Sequence, residues 1–171
     1  MHPSSPSGVA TPATAAQMAV VEAVVQRLRA VPGACLPILH AIQDELGFVP
    51  PDAVERIADG LNLSRAEVHG VLTFYHDFRT APPGRTIVKL CRAEACQARG
   101  CTALERRLHD QHGIAMGATS ADAAITLEPV YCLGNCALGP SALVDGKLVG
   151  RLDAARVDAL VQAARGKRGK A

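Results

Sequence analysis

Apolar residues in the first half of the chain recur at steps of three and four, the spacing of one helical face. Val20, Val24, Val25 and Leu28 form the first such face, which stops at the Pro32-Gly33 breaker. LPILHAIQDELG predicts a second helix, with Ile38, Leu39, Ile42 and Leu46 on one side and Gly47 as its C-terminal stop. A third runs from Pro51 or Asp52 through VERIADGLN, since proline suits the first turn of a helix. Ser64-Arg-Ala-Glu67 reads as a capping box opening a fourth helix that carries Val68, Val71, Leu72, Tyr75 and Phe78.

The period changes after APPGR at 81–85. TIVKL (86–90) is a short β-branched run that leads into Cys91. ARGCTALERRLHDQHG predicts an amphipathic helix with Leu104 and Leu108 inward and Arg106, Arg107 and Asp110 outward. ITLEPVYC (125–132) reads as a strand whose Pro129 implies an edge position or an interruption. SALVDGKLVGRL predicts a hairpin turning at Asp145-Gly146, and DAARVDALVQAAR a last helix capped by Asp153. The expected order β-α-β-β-β-α gives an α/β layer with a sheet of about four strands. The whole is an α+β protein with four expected segments: a flexible Pro/Ser/Thr/Ala-rich leader (1–15), a helical bundle (16–82), an α/β domain (83–164) and a basic tail (165–171).

Composition narrows the function classes. The 171 residues are 49% hydrophobic and 20% charged, values of a folded chain rather than a disordered one. The net charge of +2 comes from Arg165, Lys167, Arg168 and Lys170; without them 14 basic residues face 16 acidic ones. A slightly acidic body with two Tyr, three Phe and no Trp lacks both the basic face and the stacking platforms of a nucleic-acid protein. No apolar run is long enough to span a membrane, and the N-terminus has no secretory pattern, so a cytoplasmic location is expected.

Six cysteines carry the chemistry. Cys91-x4-Cys96 and Cys132-x3-Cys136 form two tight pairs with 35 residues between the inner members, each where an expected strand gives way to a loop. Loops at strand ends can aim paired thiolates at one point, and Gly100 and Gly134 let backbone N–H groups approach bound sulfur. This spacing favours an iron–sulfur cluster. Three other readings stay open on the residues alone. Structural zinc would make a zinc-stabilised interaction module, though its knuckles are most often C-x2-C. Disulfides need an oxidising compartment, and buried thiols need no role at all.

Other residues are given plainer readings. Cys101 falls inside an expected helix and Cys35 among apolar residues, so packing is expected of both. The histidines show no HxxxH or HExxH pattern, and His109 and His112 are expected on the surface. Glu45, Asp77 and Glu128 suggest no acid–base dyad, and Phe74, Tyr75 and Phe78 suggest core or subunit interface. With no GxGxxG after a strand and no P-loop, the chain has no recognised nucleotide site and no expected catalytic residue.

KLCRAEACQARGC together with EPVYCLGNCALGPSALVDGKLVGRL resembles the thioredoxin-like 2Fe-2S ferredoxin family. LPILHAIQDELGFVP and VHGVLTFYHDFR are similar to that family's N-terminal helical region. The resemblance implies a thioredoxin-like fold for the α/β domain and one 2Fe-2S cluster on Cys91, Cys96, Cys132 and Cys136. The family includes the small flavoprotein-associated subunit of complex I (NADH:quinone oxidoreductase), the matching subunits of NAD-reducing hydrogenases and the gamma subunit of soluble NAD-dependent formate dehydrogenases. CRAEACQ is most similar to the formate dehydrogenase members, where complex I members more often have His at the place of Gln97. That likeness implies an electron-transfer gamma subunit of a formate dehydrogenase. One partner would carry FMN, the NAD site and further iron–sulfur clusters, and another the molybdenum cofactor.

Overall fold

The computed structural model describes residues 12–167. Most of the expected leader and the tail beyond Lys167 lie outside the described residues. The chain divides into two compact units between Pro82 and Pro83.

The helical unit contains α1 (Ala15–Leu28), α2 (Cys35–Leu46), α3 (Ala53–Leu61) and α4 (Arg65–Phe74). Their inward faces supply Val21, Val24 and Val25, then Ile38, Leu39 and Ile42, then Ile57, then Val68 and Leu72. Each such buried aliphatic side chain is worth about 1.5–3 kcal/mol over its exposed state. The capping box at Ser64 and Glu67 forms as expected, and Gly47 ends α2 in the left-handed region at φ 83°. Two features differ from the expectation. Thr14 and Gln17 close a further capping box on α1, so the helix opens at Ala15. α4 stops at Phe74 instead of carrying Phe78; the chain turns at Tyr75, and Phe78 is buried against the helices with its ring 4.9 Å from that of His40.

The second unit runs β1 (Thr86–Cys91), α5 (Glu94–Ala98), α6 (Cys101–His112), β2 (Ile125–Val130), a 3-10 turn at Cys136–Leu138, β3 (Ala142–Val144), β4 (Lys147–Val149) and α7 (Ala154–Gly166). The sheet order is β2-β1-β3-β4, with β1 parallel to β2 and antiparallel to β3. β2 is a margin of this ladder, so Pro129 has the edge position its missing N–H requires. Residues 117–120 cover the start of that margin through Gly117 N to Leu127 O (2.8 Å) and Ser120 N to Ile125 O (2.8 Å). Asp145 and Gly146 turn the β3–β4 hairpin, both at positive φ as a two-residue Asp-Gly turn demands. Val88, Leu90, Ile125, Leu127 and Ala142 of the sheet pack with Leu104, Leu108, Val157 and Val161 of α6 and α7.

α6 and α7 are also joined by charge. Arg107 grips Asp158 with two bonds of 2.8 and 2.6 Å, and His112 Nε2 lies 2.8 Å from the same carboxylate. Arg107 therefore turns sideways onto a neighbour, and the His112 ring is largely covered, where the sequence suggests surface positions. α7 runs through Arg165, which binds Asp122 and the His112 carbonyl, while Lys167 binds Asp145 and Thr86. Both cations are thus tied to residues of the body of the unit. α5 has no counterpart among the expected elements; at five residues it is too short to show a period.

Candidate metal centre

Parallel pairing brings the two cysteine segments together. β1 and β2 point the same way, so both end on the same side of the sheet. Cys91 is the last residue of β1, in register with Val130, and Cys132 follows two residues later. Cys91 N donates to Ser141 O (2.9 Å) and Arg92 N to Val130 O (2.8 Å), which pins the ends of three strands around the site.

Cys96 comes back over Cys91 on α5, whose first turn is closed by Cys96 N to Ala93 O (2.9 Å). Gln97 Nε2 braces the same loop by donating to the Arg92 carbonyl at 2.6 Å. Cys91 and Cys96 are both 2% exposed. The second pair is different: Cys132 and Cys136 are both exposed. Cys132 has φ 78°, a left-handed conformation that costs a non-glycine residue roughly 1 kcal/mol or more. It lets Gly134 N approach the Cys132 sulfur at 3.4 Å. Cys136 opens the 3-10 turn, and Asn135 anchors that turn through Nδ2 to Ser141 Oγ (3.0 Å).

Neighbouring groups shift the ionisation of Cys91, Cys96 and Cys136. Burial pushes the Cys91 thiol up, but hydrogen bonds with Ala93, Cys96, Cys132 and Leu133 outweigh it and hold it below the usual thiol range. Cys96 is raised by burial, then by its hydrogen bond to Cys91, with a backbone bond at Ser141 opposing. Cys136 is raised by its hydrogen bond to Cys132 and by negative charge there. The arrangement is thus two neighbouring pairs. Among the described residues no three His, Cys, Asp or Glu side chains gather closely enough for one metal ion. Two pairs of thiols at one end of the sheet are the donor set of a two-iron core, in which each iron takes two thiolates.

Cys101, the first residue of α6, is 1% exposed and shares an apolar cluster with Cys91 and Cys96, lined by Ala93, Val130 and Leu133. Its thiol is raised by burial and then by negative charge at Cys96. Cys35 is half-buried against the helical core, and burial raises it as well. Three residues that shape the site have no signal in the sequence. Arg99 reaches across to the Ala137 carbonyl at 3.0 Å. Gly139 and Gly150 keep the surroundings tight: a β-carbon on Gly139 would lie 3.3 Å from the Cys96 sulfur, and one on Gly150 only 2.6 Å from Asn135 Nδ2 and 2.9 Å from Leu138 O.

Comparison with known proteins agrees with this geometry. The family model for thioredoxin-like [2Fe-2S] ferredoxins matches residues 21–165. An E-type subunit of NADH-quinone oxidoreductase from Rhizobium meliloti is 38% identical over 145 residues, covering 85% of this chain and 86% of that protein. The HndA subunit of the NADP-reducing hydrogenase of Solidesulfovibrio fructosivorans is 28% identical, covering 78% of this chain and 80% of its own length. A crystal structure of an NAD+-reducing [NiFe]-hydrogenase in the air-oxidised state matches with a TM-score of 0.63 at 28% identity, over 74% of this chain and 22% of that one. This chain spans about a fifth of the length of that solved chain. By its sheet order, its paired thiols and a family match over most of its length, the chain belongs to the thioredoxin-like [2Fe-2S] ferredoxin family.

Proposed function

We propose that this chain is an electron-transfer subunit of a multi-subunit NAD-linked oxidoreductase, with Cys91, Cys96, Cys132 and Cys136 as the thiolate ligands of one 2Fe-2S cluster. The observation that carries the ligand assignment is the meeting of the two pairs at the ends of parallel strands. Such a cluster supplies one-electron chemistry when bound. The chain's own residues enclose one pair, present the other to the surface, and aim backbone N–H groups at the sulfurs of Cys91 and Cys132. Tyr131 and Leu138 flank the exposed pair, so electron exchange with a flavin- and NAD-binding partner proceeds through this face. In the helical unit (16–82), Phe74 is 73% exposed beside exposed Tyr75, and this aromatic pair contributes to docking. Cysteines committed to a cluster rather than to disulfides fit the reducing cytoplasm, and among the described residues no helix is long and apolar enough to cross a membrane.

The finer reading is the gamma subunit of an NAD-dependent formate dehydrogenase, whose further partner carries a molybdenum cofactor. It is supported by the likeness of CRAEACQ, with Gln97 in its last place, to the formate dehydrogenase members. The relative from Rhizobium meliloti favours a second reading, the corresponding component of an NADH-quinone oxidoreductase, and HndA a hydrogenase component. Isolation of the native assembly separates them. Formate-dependent NAD reduction with stoichiometric molybdenum is expected. NADH-dependent quinone reduction without formate activity moves the chain to the second reading, and hydrogen-dependent reduction to the third. A colourless chain with one zinc and no iron sinks the cluster itself.

A further inference from the structure

Arg99 ligates nothing, yet its side chain crosses the site. It ends α5, and its Nη1 donates to the carbonyl of Ala137, the residue after Cys136, in the other cysteine segment. The stem passes Gly139, where a β-carbon would lie 3.3 Å from the Cys96 sulfur, 3.4 Å from Arg99 Cδ and 3.4 Å from the Cys136 carbonyl. The same small patch of Gly139 backbone therefore faces a sulfur of the first pair, the Arg99 stem and the second cysteine segment. The acceptor on Ala137 is a neutral carbonyl. Arg92, the residue after Cys91, is instead paired with the Glu105 carboxylate at 3.1 Å, which offsets its charge.

A two-iron core on four thiolates is an anion, and reduction by one electron adds a further negative charge. A fixed cation at short range stabilises the reduced form more than the oxidised one. Resting on the cluster reading above, we propose that Arg99 is a positioning residue that sets the potential. Its guanidinium, strapped to Ala137 between the two cysteine segments, favours the reduced cluster. Arg99 is exposed, so dissolved ions screen part of this effect and make it salt-dependent.

The test is an EPR-monitored potentiometric titration of the full-length, cluster-loaded chain, with dithionite as electron donor, at low and high salt. Arg99→Met keeps the apolar stem and drops the charge; Arg99→Lys keeps the charge and loses the planar fork. The Met variant is expected to shift its midpoint negative, the Lys variant to stay near wild type, and the gap between Met and wild type to narrow at high salt. A tenfold change in the reduction equilibrium corresponds to about 59 mV for one electron. A strap without electrostatic influence predicts that Met and Lys move together, independent of salt. An unmoved Met midpoint, equal shifts in both variants, or loss of the cluster from both overturns the proposal. A wild-type chain without a 2Fe-2S EPR signal overturns the cluster reading itself, before any variant is compared.

Discussion

The two cysteine pairs face the same site from opposite conditions. Cys91 and Cys96 are buried, held by the end of a strand, a short helix and an apolar cluster that includes Cys101. Cys132 and Cys136 are exposed, held by a left-handed residue, one 3-10 turn and the Asn135 anchor. The first pair is positioned by packing and the second by backbone geometry. Packing tolerates small losses of volume by repacking, whereas a loop shaped by a few dihedral angles and close approaches has no such reserve.

The largest expected effect removes the distinction. Alanine at Cys91, Cys96, Cys132 or Cys136 is expected to abolish or severely impair cluster binding, read as iron and sulfide content and loss of visible absorbance. In the cluster-free chain the two pairs should separate again. Iodoacetamide is expected to modify Cys132 and Cys136 well before Cys91 and Cys96, as peptide mass mapping would show. Equal rates would mean that burial does not protect the first pair.

Next comes Gly150→Ala, where the added methyl meets the Leu138 backbone and must displace the 3-10 turn. About 1–3 kcal/mol of stability is expected to be lost in denaturant unfolding, with weaker cluster retention. A smaller change separates strain from ligation. Cys132→Gly and Cys132→Ala both lose a thiol, but only glycine relaxes φ 78°. The Gly variant of the cluster-free chain is expected to be the more stable by about 1 kcal/mol. Cys101→Ala tests the packed side: unchanged iron content and a loss of about 1 kcal/mol are expected, and iron loss would reassign it as a ligand.

The smallest effect lies outside both pairs. Asp158 is held well below the usual carboxylate range, first by its bonds to Arg107 and then by His112. Its folded form thus holds its proton less tightly than the unfolded one, and its stabilisation is complete above the ordinary aspartate value of about 4. That contribution is lost as pH falls from there toward the folded value. Acid unfolding of Asp158→Asn is expected to show a shallower dependence on pH over that window.

Much of this is legible in the chain itself, for reasons that differ by element. α1 to α4, α6 and α7 are long enough to repeat an apolar face, and Asp145-Gly146 has few alternatives to a tight hairpin turn. The spacing of the cysteines and the two strand ends make the pairing visible. What stays hidden depends on contacts rather than periods. α5 completes barely one turn, the left-handed Cys132 is an unusual choice for its side chain, and Arg99 finds its acceptor 38 positions away. The Thr14–Gln17 box is written in the sequence as T-x-x-Q, but the Pro/Ser/Thr-rich stretch beside it masks the signal.

The parallel register of β1 and β2 has a consequence for how such chains can diverge. Because both strands end on one side of the sheet, the 35 residues between Cys96 and Cys132 do not set the separation of the two pairs. Insertions or deletions in the crossover outside the 117–120 segment that pairs with β2 would leave the thiols where they are. A slip of one residue in β2 would instead carry Cys132 and Cys136 along together and turn every β2 side chain to the other face. Length variation in this lineage is therefore expected to collect in the crossover, while the spans from β1 to Cys91 and from β2 to Cys132 stay fixed.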